Sequence, residues 1–221
     1  MRRYSIIYKS VLVLSALIGL ILQFASSTNV IETFSYYTIQ SNLWVLFFFG
    51  YLLYREVYRL PKIGKWLLLF KGMFTVGIFV TFLIYHFIIR PSIEGIDTSF
   101  EVGGINDFFI HYFVPLLALF DWVFFDVKGK LQWYFPLVWL VQPLDYLVYV
   151  WFYNLLGGRF NTFTDPTPYP YFFLNVERFG ILGVMQWSVL IVLLYIVLGY
   201  LLYFIDGTIL YLQIKANEKR G

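Results

Sequence analysis

Long apolar runs, separated by short polar connections, dominate the pattern of residues along the chain. Six of these runs are close to the roughly 20 residues that an α-helix needs to cross the hydrocarbon core of a bilayer. They occupy residues of about 5–25, 36–54, 66–89, 107–126, 131–155 and 179–206. Because the runs do not alternate as barrel strands do, they predict an all-α, polytopic integral membrane protein. We expect one transmembrane domain of six helices over residues 1–221.

The composition excludes several classes of protein. Hydrophobic residues make up 60% of the 221 residues, charged residues make up 13%, and the mean hydropathy is +0.73. Soluble domains carry about 25% charged residues, so this chain is neither an ordinary soluble domain nor a nucleic-acid-binding arm. We expect the lipid bilayer as its surroundings and no nucleic acid as a partner.

The first apolar run also resembles a signal peptide, because Arg2 and Arg3 precede it. The run is long for a signal peptide, and residues 24–27 (Phe-Ala-Ser-Ser) form a poor cleavage site. We therefore interpret it as a membrane helix.

Lysine and arginine predict the orientation of the helices. They concentrate at the N-terminus, in the connections near residues 55–65 and 128–130, and at the C-terminus. The alternate connections hold mainly Asp and Glu. Positively charged loops remain in the cytoplasm, so we expect both termini to be cytoplasmic and the longer connections, near 90–106 and 156–178, to lie outside. The cell (plasma) membrane is the expected location.

Ionisable residues within the apolar runs are the main candidates for chemistry, because charge is costly inside a bilayer. They are His86, His111, Asp121, Asp145 and Asp206. At about 1.5 Å of rise per residue, His86, His111 and Asp145 fall in the outer half of the membrane. The polar start of the second run, which contains Thr38, Gln40, Ser41 and Asn42, falls at a similar depth.

A hydroxyl, an imidazole and a carboxylate at one depth favour nucleophilic catalysis. In this hypothesis Thr38 is the nucleophile and His111 is its base. Asn42 stabilises an oxyanion, and either Asp107 or Asp145 orients His111. Structural alternatives remain open. Thr38 and Asp107 are also residues of helix caps, and Asp145 follows Pro143 and could satisfy groups that the proline leaves unpaired.

Other polar residues have a supporting role or a purely structural one. Ser41 and Asn42 are typical of hydrogen bonds between membrane helices, and His86 is typical of the membrane interface. Asp206 marks the cytoplasmic interface. Cysteine is absent and there are only two histidines without metal-ligand spacing, so the sequence predicts no metal site. No phosphate-binding loop is present, and we expect no cofactor.

Three segments resemble a known family of small multi-pass membrane proteins. Residues 34–42 (Phe-Ser-Tyr-Tyr-Thr-Ile-Gln-Ser-Asn) are similar to its second-span motif, and His111–Pro115 followed by Asp121–Trp122 is similar to its histidine motif. Residues 168–176 are similar to the Tyr-Pro-Tyr-Pro-Phe-Leu-Asp motif of its bacterial six-span branch, with Asn175 at the Asp position. The animal members are the androgen-induced gene proteins and the androgen-dependent TFPI-regulating protein.

The resemblance implies an activity. The animal members are intramembrane threonine hydrolases that cleave fatty acid esters of hydroxy fatty acids, and their Thr and His correspond to Thr38 and His111. We therefore expect an esterase that acts on a membrane lipid or fatty-acyl ester. Two alternatives remain. One is a membrane protein that binds a lipid or small molecule without catalysis. The other is a proton-coupled transporter whose relay consists of His86, His111, Asp121 and Asp145. The sequence does not indicate the oligomeric state.

Overall fold

The computed structural model describes residues 2–61, 63–94, 104–161 and 166–219, and 81% of these residues are helical. This confirms the all-α prediction. Ten α-helices are described, with these bounds: α1 Arg2–Ala25, α2 Val30–Phe34, α3 Tyr37–Val57, α4 Lys65–Ile84, α5 Arg90–Glu94, α6 Ile105–Phe108, α7 Val114–Phe125, α8 Phe135–Val138, α9 Val141–Leu155 and α10 Val176–Glu218. Two π-helical turns and one 3₁₀ turn complete them: Tyr85–Ile89, Phe109–Phe113 and Phe172–Leu174.

Within the described residues, five continuous helical stretches are long and apolar enough to cross a membrane, and the chain is therefore a multi-pass membrane protein. They are Arg2–Ala25, Lys65–Ser92, Ile105–Phe125, Phe135–Leu155 and Val176–Glu218. The remaining predicted run, 36–54, is also a helix, α3, with 21 residues. It is outside this set of five, since Gln40, Ser41 and Asn42 make its first turns polar.

The core has two layers that share α4. In one layer α1, α3, α4 and α7 pack together, and Leu12, Phe49, Ile78 and Val114 are fully buried there. In the other layer α4 packs against α8 and α10 around the indole of Trp139.

A glycine permits the close approach in the second layer. A Cβ at Gly72 would lie 2.2 Å from the Trp139 ring, so any larger residue there would separate α4 from α8. The indole N–H of Trp139 also donates to the Leu69 carbonyl at 2.9 Å.

Two helices depart from the predicted bounds. The predicted run 131–155 begins only at Phe135 and is interrupted at Trp139–Leu140, between α8 and α9. The last helix, α10, has 43 residues instead of a run that spans 179–206. Its first turn is capped by Asn175, whose side chain accepts from the Arg178 N–H at 3.0 Å, and it kinks at Gly180, which has a φ of 65°.

The two π turns lie where α4 and α6 leave regular α-helix. The N–H of Arg90 donates to the Tyr85 carbonyl, and the N–H of Val114 donates to the Phe109 carbonyl, which are both five-residue steps. Turns of this kind recur at functional sites. Here they contain both histidines of the chain, His86 and His111. We call this end of the bundle the π-turn end.

Candidate functional site

His111 is held by a carboxylate one turn earlier on its own helix. Its Nδ1 lies 2.7 Å from Asp107 Oδ1, and the two side chains are only 13% and 12% exposed. A neutral imidazole that donates its Nδ1–H to this carboxylate has its lone pair at Nε2. Of the two carboxylates that the sequence offered for orienting His111, the structure places Asp107 beside it.

Tyr85 contacts both members of this pair from the neighbouring helix. Its hydroxyl donates to Asp107 Oδ2 at 2.6 Å, and its ring stacks on the His111 imidazole with ring centroids 3.7 Å apart and planes 11° apart. Both oxygens of Asp107 thus receive a hydrogen bond, and one face of the imidazole is covered. The sequence interpretation assigned no role to Tyr85; its position directly before His86 was the only available signal.

The next residue in each π turn, His86 after Tyr85 and Tyr112 after His111, forms a second contact between the two turns. His86 Nδ1 lies 3.2 Å from the Tyr112 hydroxyl, which also accepts from Arg90 at 3.0 Å. The Tyr-His sequence of one π turn therefore faces the His-Tyr sequence of the other. His86 itself is exposed, and the described hydrogen bonds connect it to Tyr112 instead of to His111.

Asn42 connects α3 to the π turn that contains His111. Its Nδ2 donates to the Thr38 carbonyl at 2.8 Å and to the Ile110 carbonyl at 3.0 Å. A primary amide has only two such protons. Because both are donated to the main chain, Asn42 has no proton left for an oxyanion. The oxyanion role that the sequence suggested for Asn42 does not fit this geometry, and Asn42 instead joins two helices.

Thr38, Tyr85 and His111 lie at one level of the bundle. Ser41 donates to the Thr38 carbonyl at 3.0 Å, and its hydroxyl lies 3.3 Å from that of Thr81 on antiparallel α4. Thr38 is one turn from Ser41, and Tyr85 is one turn from Thr81, both toward the π-turn end.

His111 directly follows Ile110, which receives the Asn42 hydrogen bond. The three side chains therefore come from adjacent helices above a buried polar floor of Ser41, Asn42 and Thr81. Among the described hydrogen bonds, none joins the Thr38 hydroxyl to the His111 imidazole.

The phenol of Tyr171, from the loop before α10, also lies near Thr38. Burial raises the pKa of Tyr171 to about 12, and hydrogen-bonding groups of Thr38 and Tyr146 reduce the rise. The neighbouring Tyr37 hydroxyl bonds to that of Tyr195 on α10. The Pro-Tyr-Pro-Tyr segment, which the sequence singled out without assigning a role, thus brings a phenol to the candidate nucleophile.

Asp145 lies elsewhere. It is exposed on α9 beside Leu144 and Val148, which are also exposed, and the described contacts of His111 do not include it. The neighbouring buried position of α9 is Tyr146. Its ring packs against those of Tyr37 and Tyr171, and its hydroxyl donates to the Ser35 carbonyl at 3.2 Å. The structure therefore does not bring Asp145 together with His111.

The opposite end of the bundle contains a buried ionic cluster. Asp121 is fully buried, with Lys9 Nζ 3.0 Å from Oδ1 and Lys71 Nζ 2.6 Å from Oδ2. Lys71 also pairs with Asp126, and Lys9 lies 3.3 Å from Glu56. Asp121 is therefore ion-paired with two ammonium groups, one at each oxygen. We call this group the Lys9–Lys71 cluster; it joins α1, α3, α4 and α7.

Asp206 caps a loop at the same end, as its Oδ2 accepts from the main-chain N–H groups of Lys130 and Leu131 at 3.0 and 3.3 Å. Within the described ranges, no three His, Cys, Asp or Glu side chains are grouped so that they could hold a metal ion.

Comparison with known proteins adds no relative: no family model, curated protein or solved structure matches the chain.

Proposed function

We propose that α3 is a sixth membrane span and that both termini are cytoplasmic, in the plasma membrane. Its 21 residues extend about 32 Å, which is enough to cross the hydrocarbon core. The alternating distribution of Lys and Arg supports this orientation. In this arrangement the π-turn end faces outside and the Lys9–Lys71 cluster faces the cytoplasm.

We propose further that the protein is an intramembrane ester hydrolase with Thr38 as nucleophile and His111 as base. Thr38 Oγ1 attacks the carbonyl carbon of an ester while His111 Nε2 accepts the hydroxyl proton. The imidazolium then protonates the departing alcohol and leaves an acyl group on Thr38. Water, deprotonated by the same imidazole, hydrolyses that acyl-threonine. The net reaction consumes one ester and one water and yields one acid and one alcohol.

The bond of 2.7 Å between Asp107 and His111 carries this proposal. It supports the presence of a neutral imidazole whose Nε2 is the basic nitrogen, which is the arrangement that a hydroxyl nucleophile needs. The position of Thr38 and His111 at the same level of the bundle also supports the hydrolase proposal. Asp107 takes the orienting role.

A lipid or fatty-acyl ester is the proposed substrate. The site lies within the helical bundle, and the surfaces of α9 and α10 expose many large apolar side chains, such as Trp151 and Leu193. An acyl chain that enters laterally from the bilayer would therefore pass from one apolar environment, the lipid, to another, the surface of these helices. The resemblance of residues 34–42 and of His111–Pro115 to the threonine hydrolases favours the same class.

Covalent labelling with a lipid-like fluorophosphonate tests the mechanism. Oxygen of Thr38 would displace fluoride from phosphorus, so the purified protein should be labelled, and the modified residue should be Thr38. Thr38→Ala and His111→Ala should abolish labelling, whereas Thr81→Ala, the matched control from the same polar floor, should retain it. Equal labelling of wild type and both site variants would disprove the mechanism.

A second candidate is a protein that binds a lipid without turnover. The observation that favours it is the proximity of Tyr171 to Thr38, together with the lack of a described bond from Thr38 to His111. It predicts that a lipid copurifies with the protein, is never cleaved, and is retained equally by Thr38→Ser. Mass spectrometry of the extracted lipid before and after incubation separates the two candidates.

The transporter alternative receives less support. Its relay required mobile protons at Asp121 and Asp145 as well as at the two histidines. Asp121 is clamped between the ammonium groups of Lys9 and Lys71, and Asp145 is exposed on α9. Proton-driven uptake of a substrate into proteoliposomes would restore this alternative.

A further inference from the structure

We infer that Tyr85 is a positioning residue for His111: it acts through Asp107 and the imidazole ring instead of touching the substrate. The inference rests on the proposed function. It extends that proposal by a residue on another helix, for which the sequence offered no motif.

The contacts of Tyr85 fix two separate degrees of freedom. Its hydroxyl, at 2.6 Å from Asp107 Oδ2, holds the carboxylate so that Oδ1 faces His111 Nδ1. Its ring, stacked at a centroid distance of 3.7 Å, prevents the imidazole from rotating out of plane. Tyr85 itself is 6% exposed, so its own ring is immobilised by packing. A single tautomer in a single orientation is the consequence.

Stacking and hydrogen bonding can be removed one at a time. Tyr85→Phe retains the stacked ring and deletes only the hydrogen bond to Asp107. Tyr85→Leu removes both. The adjacent π turn supplies a matched control in Tyr112, a tyrosine at a similar position whose hydroxyl contacts His86 and Arg90. Its ring centroid lies 5.8 Å from that of Tyr85, so Tyr112→Phe perturbs the same region without touching the Asp107–His111 bond.

The first measurement is independent of catalysis. The chain has two histidines, so in a His86→Gln background a protein labelled with ¹⁵N-histidine reports His111 alone. Solid-state NMR of such a protein distinguishes a protonated Nδ1 from a protonated Nε2. With Tyr85 intact, we expect the neutral ring to be protonated at Nδ1 only. Tyr85→Phe should give a mixture of tautomers, and Tyr112→Phe should give the spectrum of the intact protein.

The second measurement is the rate at which the fluorophosphonate labels Thr38, with His86 intact. Loss of one hydrogen bond to a charged partner should slow labelling about ten-fold in Tyr85→Phe. Loss of the stacked ring as well should slow it about a hundred-fold in Tyr85→Leu. Tyr112→Phe should label at the wild-type rate. The unfolding temperature of each variant shows whether it is folded.

The outcomes separate the two proposals. If the wild type is not labelled at Thr38 but Tyr85→Phe still mixes the tautomers, the hydrolase proposal fails and the positioning role of Tyr85 survives. If folded Tyr85→Phe retains one tautomer and the wild-type labelling rate, Tyr85 is not a positioning residue, and the hydrolase proposal is unaffected.

Discussion

Lys71 and Asp121 approach to 2.6 Å in the interior of the bundle, where the two side chains are 2% and 0% exposed. They come from α4 and α7, and Lys9 of α1 binds the other oxygen of the same carboxylate. One carboxylate thus pairs with ammonium groups from two other helices. Removal of Lys71 would take an ammonium group away from both Asp121 and Asp126, in a medium that solvates charge poorly.

The ionic cluster should therefore be essential for stability. Lys71→Met should lower the free energy of unfolding by about 3–5 kcal/mol. Thermal unfolding in detergent, followed by circular dichroism, measures the change. Lys65→Met, at an exposed lysine of the same helix, is the control and should unfold like wild type. Wild-type unfolding of Lys71→Met would contradict the assigned role.

The assignment of Asp107, and not Asp145, as the residue that orients His111 can be tested directly. Asp107→Asn should slow covalent labelling of Thr38 by about a hundred-fold, because the imidazole loses the carboxylate that orients it. Asp145→Asn, on the exposed surface of α9, should label at the wild-type rate. The reverse result would mean that Asp145, and not Asp107, serves the site.

Asn42 should affect stability and not chemistry. Asn42→Leu leaves the Ile110 carbonyl without its donor and should lower the free energy of unfolding by about 1–3 kcal/mol. Because neither amide proton is available to a ligand, the labelling rate per folded molecule should remain unchanged. A loss of labelling in a variant that unfolds at the wild-type temperature would restore the oxyanion role.

Alkaline pH should weaken the fold through Tyr171. Burial raises its pKa to about 12 from the ordinary value of 10, so the unfolded chain releases this proton at lower pH than the folded protein. The contribution to stability is complete below pH 10 and is lost as pH rises toward 12. Tyr171→Phe should show a shallower loss of unfolding temperature over that interval. Identical slopes for the wild type and Tyr171→Phe would contradict this contribution of Tyr171.

The orientation of the chain can be mapped without removing any natural thiol, because the protein has no cysteine. Ser26→Cys and Arg159→Cys should react with an impermeant maleimide on intact cells. Lys130→Cys and Asn217→Cys should react only after the membrane is opened. All four positions are exposed, and any exchange between the two groups would contradict the proposed topology.

The sequence predicts where the helices lie along the chain better than it predicts which side chains meet between them. Apolar runs locate each of the long helices because burial and lipid contact both select the same residue types. The pairing of Lys9 with Asp121 lies beyond such reasoning, since it depends on how α1 and α7 rotate against each other. In the same way, helix rise alone could place Thr38 and His111 at one level. The two hydrogen bonds that Asn42 donates to carbonyl groups follow only from the tertiary structure.

The two π turns make this region sensitive to chain length. Each accommodates one residue more than an α-helical turn over the same hydrogen-bonded step. Deletion of a single residue from Tyr85–Ile89 would replace this wide turn with regular α-helix, in which successive side chains are about 100° apart. Tyr85 and His86 could then no longer face their counterparts simultaneously. Shortening the chain by one residue here should therefore be more harmful than most substitutions.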